Sequence, residues 1–363
     1  MNTYPMDKAY EDWKKNITPS HHLWGKIELD RRGHVDVEIL KFEKYKFLNE
    51  LGKKLKIEFL DQQLRTLFHL KKYDIIYAPN GSGTTKLLVI LKLLKLISTP
   101  IVIMAHQPQF VAPEVQSDFK KKIAKHLMLQ FDAMVFMSHQ MKADTIVNYK
   151  IPLSEAKSKF FHLDWGADNE FYQDYSSLKP VKQTGYAISA GTTQRDIDTL
   201  IEAFRGVDFP LKIFTTPLHL PTVNDIPSNV TVYTEGTTYK NLLEEYNNAR
   251  IILVPMKISD FPNNTHGLTS LMDVMVMGKP VIITRNRNLD IDVEKEGIGL
   301  WANKYDPNHW RELLNDLLFD EDRLAAMGRR SLALYKTKFN AEKFAEGLEQ
   351  IFIDIHAKKR AGK

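Results

Sequence analysis

Short apolar runs rich in branched residues recur along the chain, each closed by turn residues. Between them lie longer stretches whose apolar positions repeat at helical spacing. Tyr73–Ala78, Pro100–Ala105, Phe131–Met137, Tyr186–Ala190, Leu211–Thr215, Val230–Thr234, Ile251–Pro255, Val281–Thr284 and Gly297–Trp301 predict strands. His34–Leu40 (HVDVEIL) alternates and predicts a further one. Helices are expected at Lys26–Arg32, twice within Phe42–Leu70, and at Ile197–Phe204, Thr238–Asn248, Leu268–Met277, Asn308–Phe319, Glu321–Thr337 and Ala341–His356. Residues 1–18 carry no clear pattern. Strand–helix alternation of this kind makes parallel sheets, so the expected class is α/β with two Rossmann-like, doubly wound domains. A chain of 363 residues is long enough for both. The polar, lysine-bearing stretch Tyr172–Gln183, with Pro180 inside it, sets the expected boundary near residue 180. The domains are then 1–180, 181–340 and a closing helical segment 341–363.

The stretch Ile251–Thr284 organises the second half. A buried strand is closed by Pro255, a polar loop runs over Lys257–His266, and Gly267 opens a short helix. Gly278 occupies the place of a C′ glycine, Pro280 forbids continuation, and a second strand follows. The unit is one βαβ element. Its helix start is a natural anion site: the first N–H groups have no intrahelical partners, and the macrodipole adds about half a positive charge there. Gly267 permits close approach of a ligand, while Thr269 and Ser270 add hydroxyl donors. An ordinary buried crossover helix is the alternative.

These residues carry a family resemblance. The segment resembles the donor site of the retaining "glycosyl transferases group 1" family of GT-B fold, in which an acidic residue, a glycine-containing turn and then LLEAMAxGxPV mark the site. Met272, Asp273, Met275, Gly278, Pro280 and Val281 fall in register, and Gly267 stands one residue ahead of the usual turn glycine. Asp273 takes the place of the second acidic residue, to which the resemblance assigns the ribose hydroxyls; Thr265 occupies the first acidic position. The resemblance places Thr265, His266, Gly267, Leu268 and Thr269 against the donor. It further implies two domains facing across a cleft and a last helix that returns to the first domain.

The remaining candidates follow from it. Gly191 and Arg195 lie in the loop before Ile197–Phe204; Arg195 takes the family's lysine position and Thr192 that of its arginine. A guanidinium can grip a diphosphate in bidentate fashion; pairing with Asp198 on the helix surface is the alternative. His106, at the carboxyl end of Pro100–Ala105, matches a histidine facing the donor sugar and acceptor, with a plain hydrogen bond to a loop carbonyl as the other reading. His21, His22 and Gly25 would line the cleft, unless the two histidines are surface loop residues. Phe160–Asp168 resembles the family's "NGVD" segment through Gly166 and Asp168, and the base is expected near Glu235–Tyr239.

Some patterns are set aside. Pro79–Leu88 mimics a Walker A loop, but Ala78 replaces the first glycine, Thr84 the lysine, and Lys86 falls two positions late. The Asp196/Asp198 and Asp290/Asp292 pairs are short chance strings rather than a metal site. The longest apolar run, around Leu87–Ile97, is interrupted by lysines and too short to span a bilayer. The N-terminus is acidic and aromatic too early for a secretory signal, and the absence of cysteine fits a cytoplasmic location.

Charge is uneven. Residues 1–180 hold 27 Lys and Arg against 21 Asp and Glu, the remainder 23 against 24. The clusters Lys53–Lys56 and Lys120–Lys125 would suit an anionic membrane surface, or else a solvated helix face. The resulting expectation is a metal-independent, retaining glycosyltransferase without a cofactor, acting with Arg195 and His106. Its partners are a nucleotide-sugar donor, a glycan, lipid-linked or small-molecule acceptor, and no nucleic acid; the location is cytoplasmic, with peripheral attachment to the inner face of the membrane. A non-catalytic nucleotide-sugar or protein-binding module and a nucleotide-sugar epimerase are the competing readings.

Overall fold

Ile76–Ala78 (β1), Ile101–Ala105 (β2), Ala133–Phe136 (β3) and Phe160–His162 (β4) form a parallel sheet in that order. Ala187–Ala190 (β5), Leu211–Phe214 (β6), Val230–Tyr233 (β7), Ile251–Val254 (β8), Val281–Thr284 (β9) and Gly299–Ala302 (β10) form a second, ordered β10-β9-β8-β5-β6-β7. The structure is a computed structural model and describes residues 1–110, 117–175, 185–259 and 264–361. Contacts divide the chain into two units. One comprises Met1–Trp165, Asn263–Thr265 and Ala341–Lys363; the other comprises Gly166–Pro262 and His266–Asn340. The division falls at Trp165–Gly166, ahead of residue 180; the stretch around Pro180 lies outside the described residues, as do 260–263 of the polar loop.

The second sheet is doubly wound. From β5 the chain steps outward through β6 and β7, returns to place β8 on the other side of β5, and continues outward through β9 and β10. The winding reverses between β5 and β8. Both central strands are buried at every residue, as parallel strands covered on two faces must be. The core beneath them gathers Leu200, Phe204, Leu253, Ile282, Trp310 and Leu314.

In the first unit β2 and β3 are buried throughout, packed with Leu88, Val89, Ala124 and Met128. β4 was not legible in advance, because three residues follow directly on the helix Leu153–Lys159 with no turn signal between. The expected strand His34–Leu40 is absent, although its side chains alternate between half-buried and exposed over Val35–Ile39. Asp30 Oδ1 accepts from Val37 N–H at 3.0 Å and Lys26 Nζ donates to the Val37 carbonyl. Side chains of one helix thus satisfy the backbone groups a ladder would have used. A helix also forms at Met6–Lys14, where no pattern was apparent. The closing helix Ala341–Ala361 belongs to this first unit and packs on Lys26–Arg32.

Candidate active site

Open α/β sheets bind ligands beyond the carboxyl ends of their strands, where the winding reverses. In the second unit that place is the edge of β5 and β8, and Arg195 occupies it. The loop leaving β5 pairs with the chain leaving β8: Arg195 and Met256 form an antiparallel bridge, and Lys257 N–H donates to the Gln194 carbonyl at 2.7 Å. The guanidinium folds back on its own loop, with Nε and Nη2 donating to the Ala190 carbonyl at 3.1 and 3.0 Å. Nη2 also donates to Ser270 Oγ at 2.6 Å, and Nη1 lies against Met256 Sδ. Pairing with Asp198 does not occur, since that carboxylate accepts from the N–H and hydroxyl of Thr222. Burial pulls the Arg195 pKa down, with Tyr246 and Asp273 opposing the shift.

Gly191 makes this geometry available. Its φ is +143°, and a Cβ there would collide with the Arg195 guanidinium. Gly191→Ala is expected to displace the side chain and to cost about 1–3 kcal/mol of stability. Chemical denaturation measures the loss; a variant as stable as the parent would show that the packing gives way freely.

Ser270 belongs to the helix Leu268–Val276, whose N-cap is Gly267 at φ +95°. Of its nine residues only Thr269 is exposed. No side chain caps the helix, so its first-turn amides meet the guanidinium bonded to Ser270 with the positive end of the dipole. His266 precedes the turn, with its carbonyl accepting from Asn286 Nδ2 at 3.1 Å; burial, then Arg195, lowers its pKa. The structure therefore brings Gly191, Arg195, His266, Gly267, Leu268, Thr269 and Asp273 into one unit.

Asp273 is buried on the same helix, and two tyrosines that the sequence did not pair with it meet it. Tyr172 and Tyr239 hydroxyls both donate to its Oδ1 at 2.7 Å and touch each other. Burial raises the carboxyl pKa to about 6, against the opposing effect of the two phenols and Arg195. Two hydroxyls on one carboxylate are what a ribose diol would offer. Tyr239 opens the helix Tyr239–Asn248, next to the loop expected near the base. Tyr172 carried no signal, because only the fold brings residue 172 to residue 273.

One carboxylate of each Asp-x-Asp string is engaged in structural hydrogen bonds. Asp292 Oδ1 accepts from Trp301 Nε1 at 2.9 Å and from the Glu294 N–H at 3.2 Å, while Asp198 holds Thr222.

The other candidates lie in the first unit. His106 follows β2, and its carbonyl accepts from Thr265 N–H at 3.3 Å. Its ring centroid is 5.5 Å from Trp24, which is 5.6 Å from Trp165. His21 lies 4.4 Å from His22 and 5.0 Å from Trp165. These histidines are not surface loop residues: His21 is buried and His22 half-buried. Burial pushes the His21 pKa well down and that of His22 to about 4, so both are neutral at pH 7. Gly25, at φ +86°, caps the helix Lys26–Arg32 and abuts Phe344. It shapes the backbone and packing. The aromatic cluster was missed in advance because Trp24 and Trp165 are 141 positions apart.

Comparison with known proteins bears on this arrangement. No family model matches the sequence. Over 116 residues, 32% of this chain, the sequence is 30% identical to D-inositol 3-phosphate glycosyltransferase of Corynebacterium jeikeium; the match spans only 26% of that relative's length. Sucrose-phosphate synthase from Thermosynechococcus elongatus superposes on 90% of this chain and 82% of its own, with TM-score 0.61 and 15% identity. HepE of Anabaena, solved with UDP and glucose, covers 89% of this chain and 87% of its own, with TM-score 0.60 and 13% identity.

Proposed function

We propose that this chain, whose fold is that of the GT-B glycosyltransferases, transfers a sugar from a nucleotide-diphosphate donor to an acceptor hydroxyl. One observation carries the reading: Arg195 and the uncapped start of Leu268–Val276 stand together at the switch point of the second sheet. As the glycosidic bond breaks, its electron pair goes to the diphosphate. A preorganised guanidinium and a row of amides stabilise that charge without reorganising. Asp273 takes the ribose, its two tyrosine hydroxyls giving way to those of the sugar. Because a guanidinium and a helix dipole supply the positive potential, the transfer is metal-independent. It proceeds with retention, in keeping with the resemblance at Met272–Val281. His106, with the neutral His21–His22 pair and Trp24, is assigned to the acceptor side, the acceptor being a glycan or a lipid-linked or small-molecule hydroxyl compound.

A panel of nucleoside diphosphates and nucleotide sugars in a thermal-shift assay tests the donor, since a ligand of the native state raises the melting temperature. HepE was solved with UDP, so UDP and UDP-glucose head the panel. A concentration-dependent rise of several degrees with at least one nucleotide is expected. Transfer should then persist in EDTA, and NMR of the product should show the donor's anomeric configuration. A flat panel together with no turnover overturns the reading.

A second reading has an observation of its own. Thr265 stands where an acidic residue is expected and Asp273 is already occupied by Tyr172 and Tyr239, as in a module that binds without catalysing. Nucleotide binding without hydrolysis or transfer in any acceptor mixture would favour it.

A further inference from the structure

Surface helices turn their apolar stripe toward the core. The helix Lys46–Lys54 in the first unit does the reverse. Its buried residues are Asn49 and Gly52. Asn49 Oδ1 accepts from Asp61 N–H at 3.1 Å, and a Cβ on Gly52 would collide with the Ile57 carbonyl, so the inward side is polar and closely fitted. Phe47, Leu51 and Leu55, at intervals of four, are 68, 46 and 56% exposed. The neighbouring helix Leu60–Phe68 buries Leu60 together with Asp61, Gln62 and Gln63 and packs Leu67 on the core, but its last residue, Phe68, is left in solvent. The helix Asp118–Met128 presents Phe119, 71% exposed, and Ile123 one turn on. Packing links these helices in sequence, with Lys86–Leu93 between the second and the third.

Lysines border the exposed rings. Over residues 41–56 there are six, at 41, 44, 46, 53, 54 and 56, against Glu43 and Glu50. Lys120, Lys121, Lys122 and Lys125 flank Phe119 and Ile123 in the same way. We propose that this helical face of the first unit docks on an anionic lipid bilayer, with Phe47, Leu51, Leu55 and Phe119 entering the acyl boundary and the lysines meeting headgroup phosphates. Interfacial helices combine these two features, an apolar face and basic residues beside it. A protein partner fits less well, because lysine is depleted in the cores of protein interfaces. Among the described residues no helix is long and apolar enough to cross a membrane, so the contact is one of lying on the surface.

The test is co-sedimentation of the full chain, without nucleotide, with vesicles of phosphatidylcholine alone or mixed in equal parts with phosphatidylglycerol. Binding is expected to the mixed vesicles and to weaken as salt rises. A Phe47→Ser/Leu51→Ser variant should partition about tenfold or more less strongly. Neutralising Lys53, Lys54 and Lys56 to Gln should cost about fivefold per residue and reduce the salt dependence. The replaced side chains are exposed, so the urea midpoint and the nucleotide-induced thermal shift should match the parent. Failure of the donor reading would leave vesicle binding intact, which separates the two. The proposal is overturned by absence of binding, or by equal partitioning of parent and variants. A self-associated state that Phe47→Ser/Leu51→Ser dissolves would overturn it as well, assigning the stripe to a second copy of the chain.

Discussion

Arg195→Ala should lower kcat by about 10²-fold or more, with a smaller change in the donor KM. The guanidinium already has partners for its resting state, namely the Ala190 carbonyl and Ser270 Oγ, and among the described residues no carboxylate pairs with it. Only the field of Asp273, which does not bond to it, acts on its charge from the protein side, and in the proposed reaction the anion that it grips is the leaving diphosphate. Charge on that group is greater in the transition state than in the bound donor, so kcat falls more than KM rises. Arg195→Lys should recover only part of the loss, because an ammonium keeps the charge but not the planar fork. Steady-state kinetics with a donor drawn from the thermal-shift panel decides the matter; unchanged kcat in the alanine variant would remove Arg195 from the mechanism.

Asp273→Asn should have the largest effect on stability, and one that depends on pH. In the unfolded chain this carboxyl titrates near 3.8, and burial moves it to about 6 in the folded protein. Below pH 3.8 both states are protonated and nothing is lost. Between the two values the folded state holds the extra proton, so the group's contribution falls as pH rises. Above pH 6 the full penalty stands, about 3 kcal/mol from a shift of this size. Asparagine carries no such charge, and its carbonyl oxygen can still accept from Tyr172 and Tyr239. The variant should therefore gain on the parent as pH rises from about 4 to 7, while binding nucleotide more weakly for want of a carboxylate against the ribose. Urea midpoints of both proteins at pH 4.5 and pH 7, compared as a difference, isolate Asp273 from other titrating groups. A difference that does not change with pH would show that the carboxyl is not held up by burial.

Legibility differed between the fold and the site for a physical reason. Buried parallel strands announce themselves as apolar runs, because both faces are covered and no alternation is needed. Hence β2, β5, β8 and β9 lie where the sequence points, and so does the helix Ile197–Phe204. His34–Leu40 misled because its alternation is genuine, while the partner for its backbone is a Lys–Asp pair one helix away instead of a strand. The helix Leu268–Val276 was readable from Gly267, Gly278 and Pro280, since caps are chosen by backbone conformation. Arg195 was readable as a cation in the loop that leaves β5. What it touches was not.

The sequence by itself determined the periodicities, and through them the α/β class, most strands, the helix between Gly267 and Gly278 and the excess of lysine in the first half. Each of these is local chemistry, decided by neighbours within a turn or a strand. Tertiary structure alone decided that Tyr172 and Tyr239 close on Asp273, that Arg195 rests on Gly191 beside Ser270, and that Phe47 and Leu51 face water while Asn49 and Gly52 face inward. Those pairings join residues up to 101 positions apart, and the burial that selects them exists only once the sheets have formed.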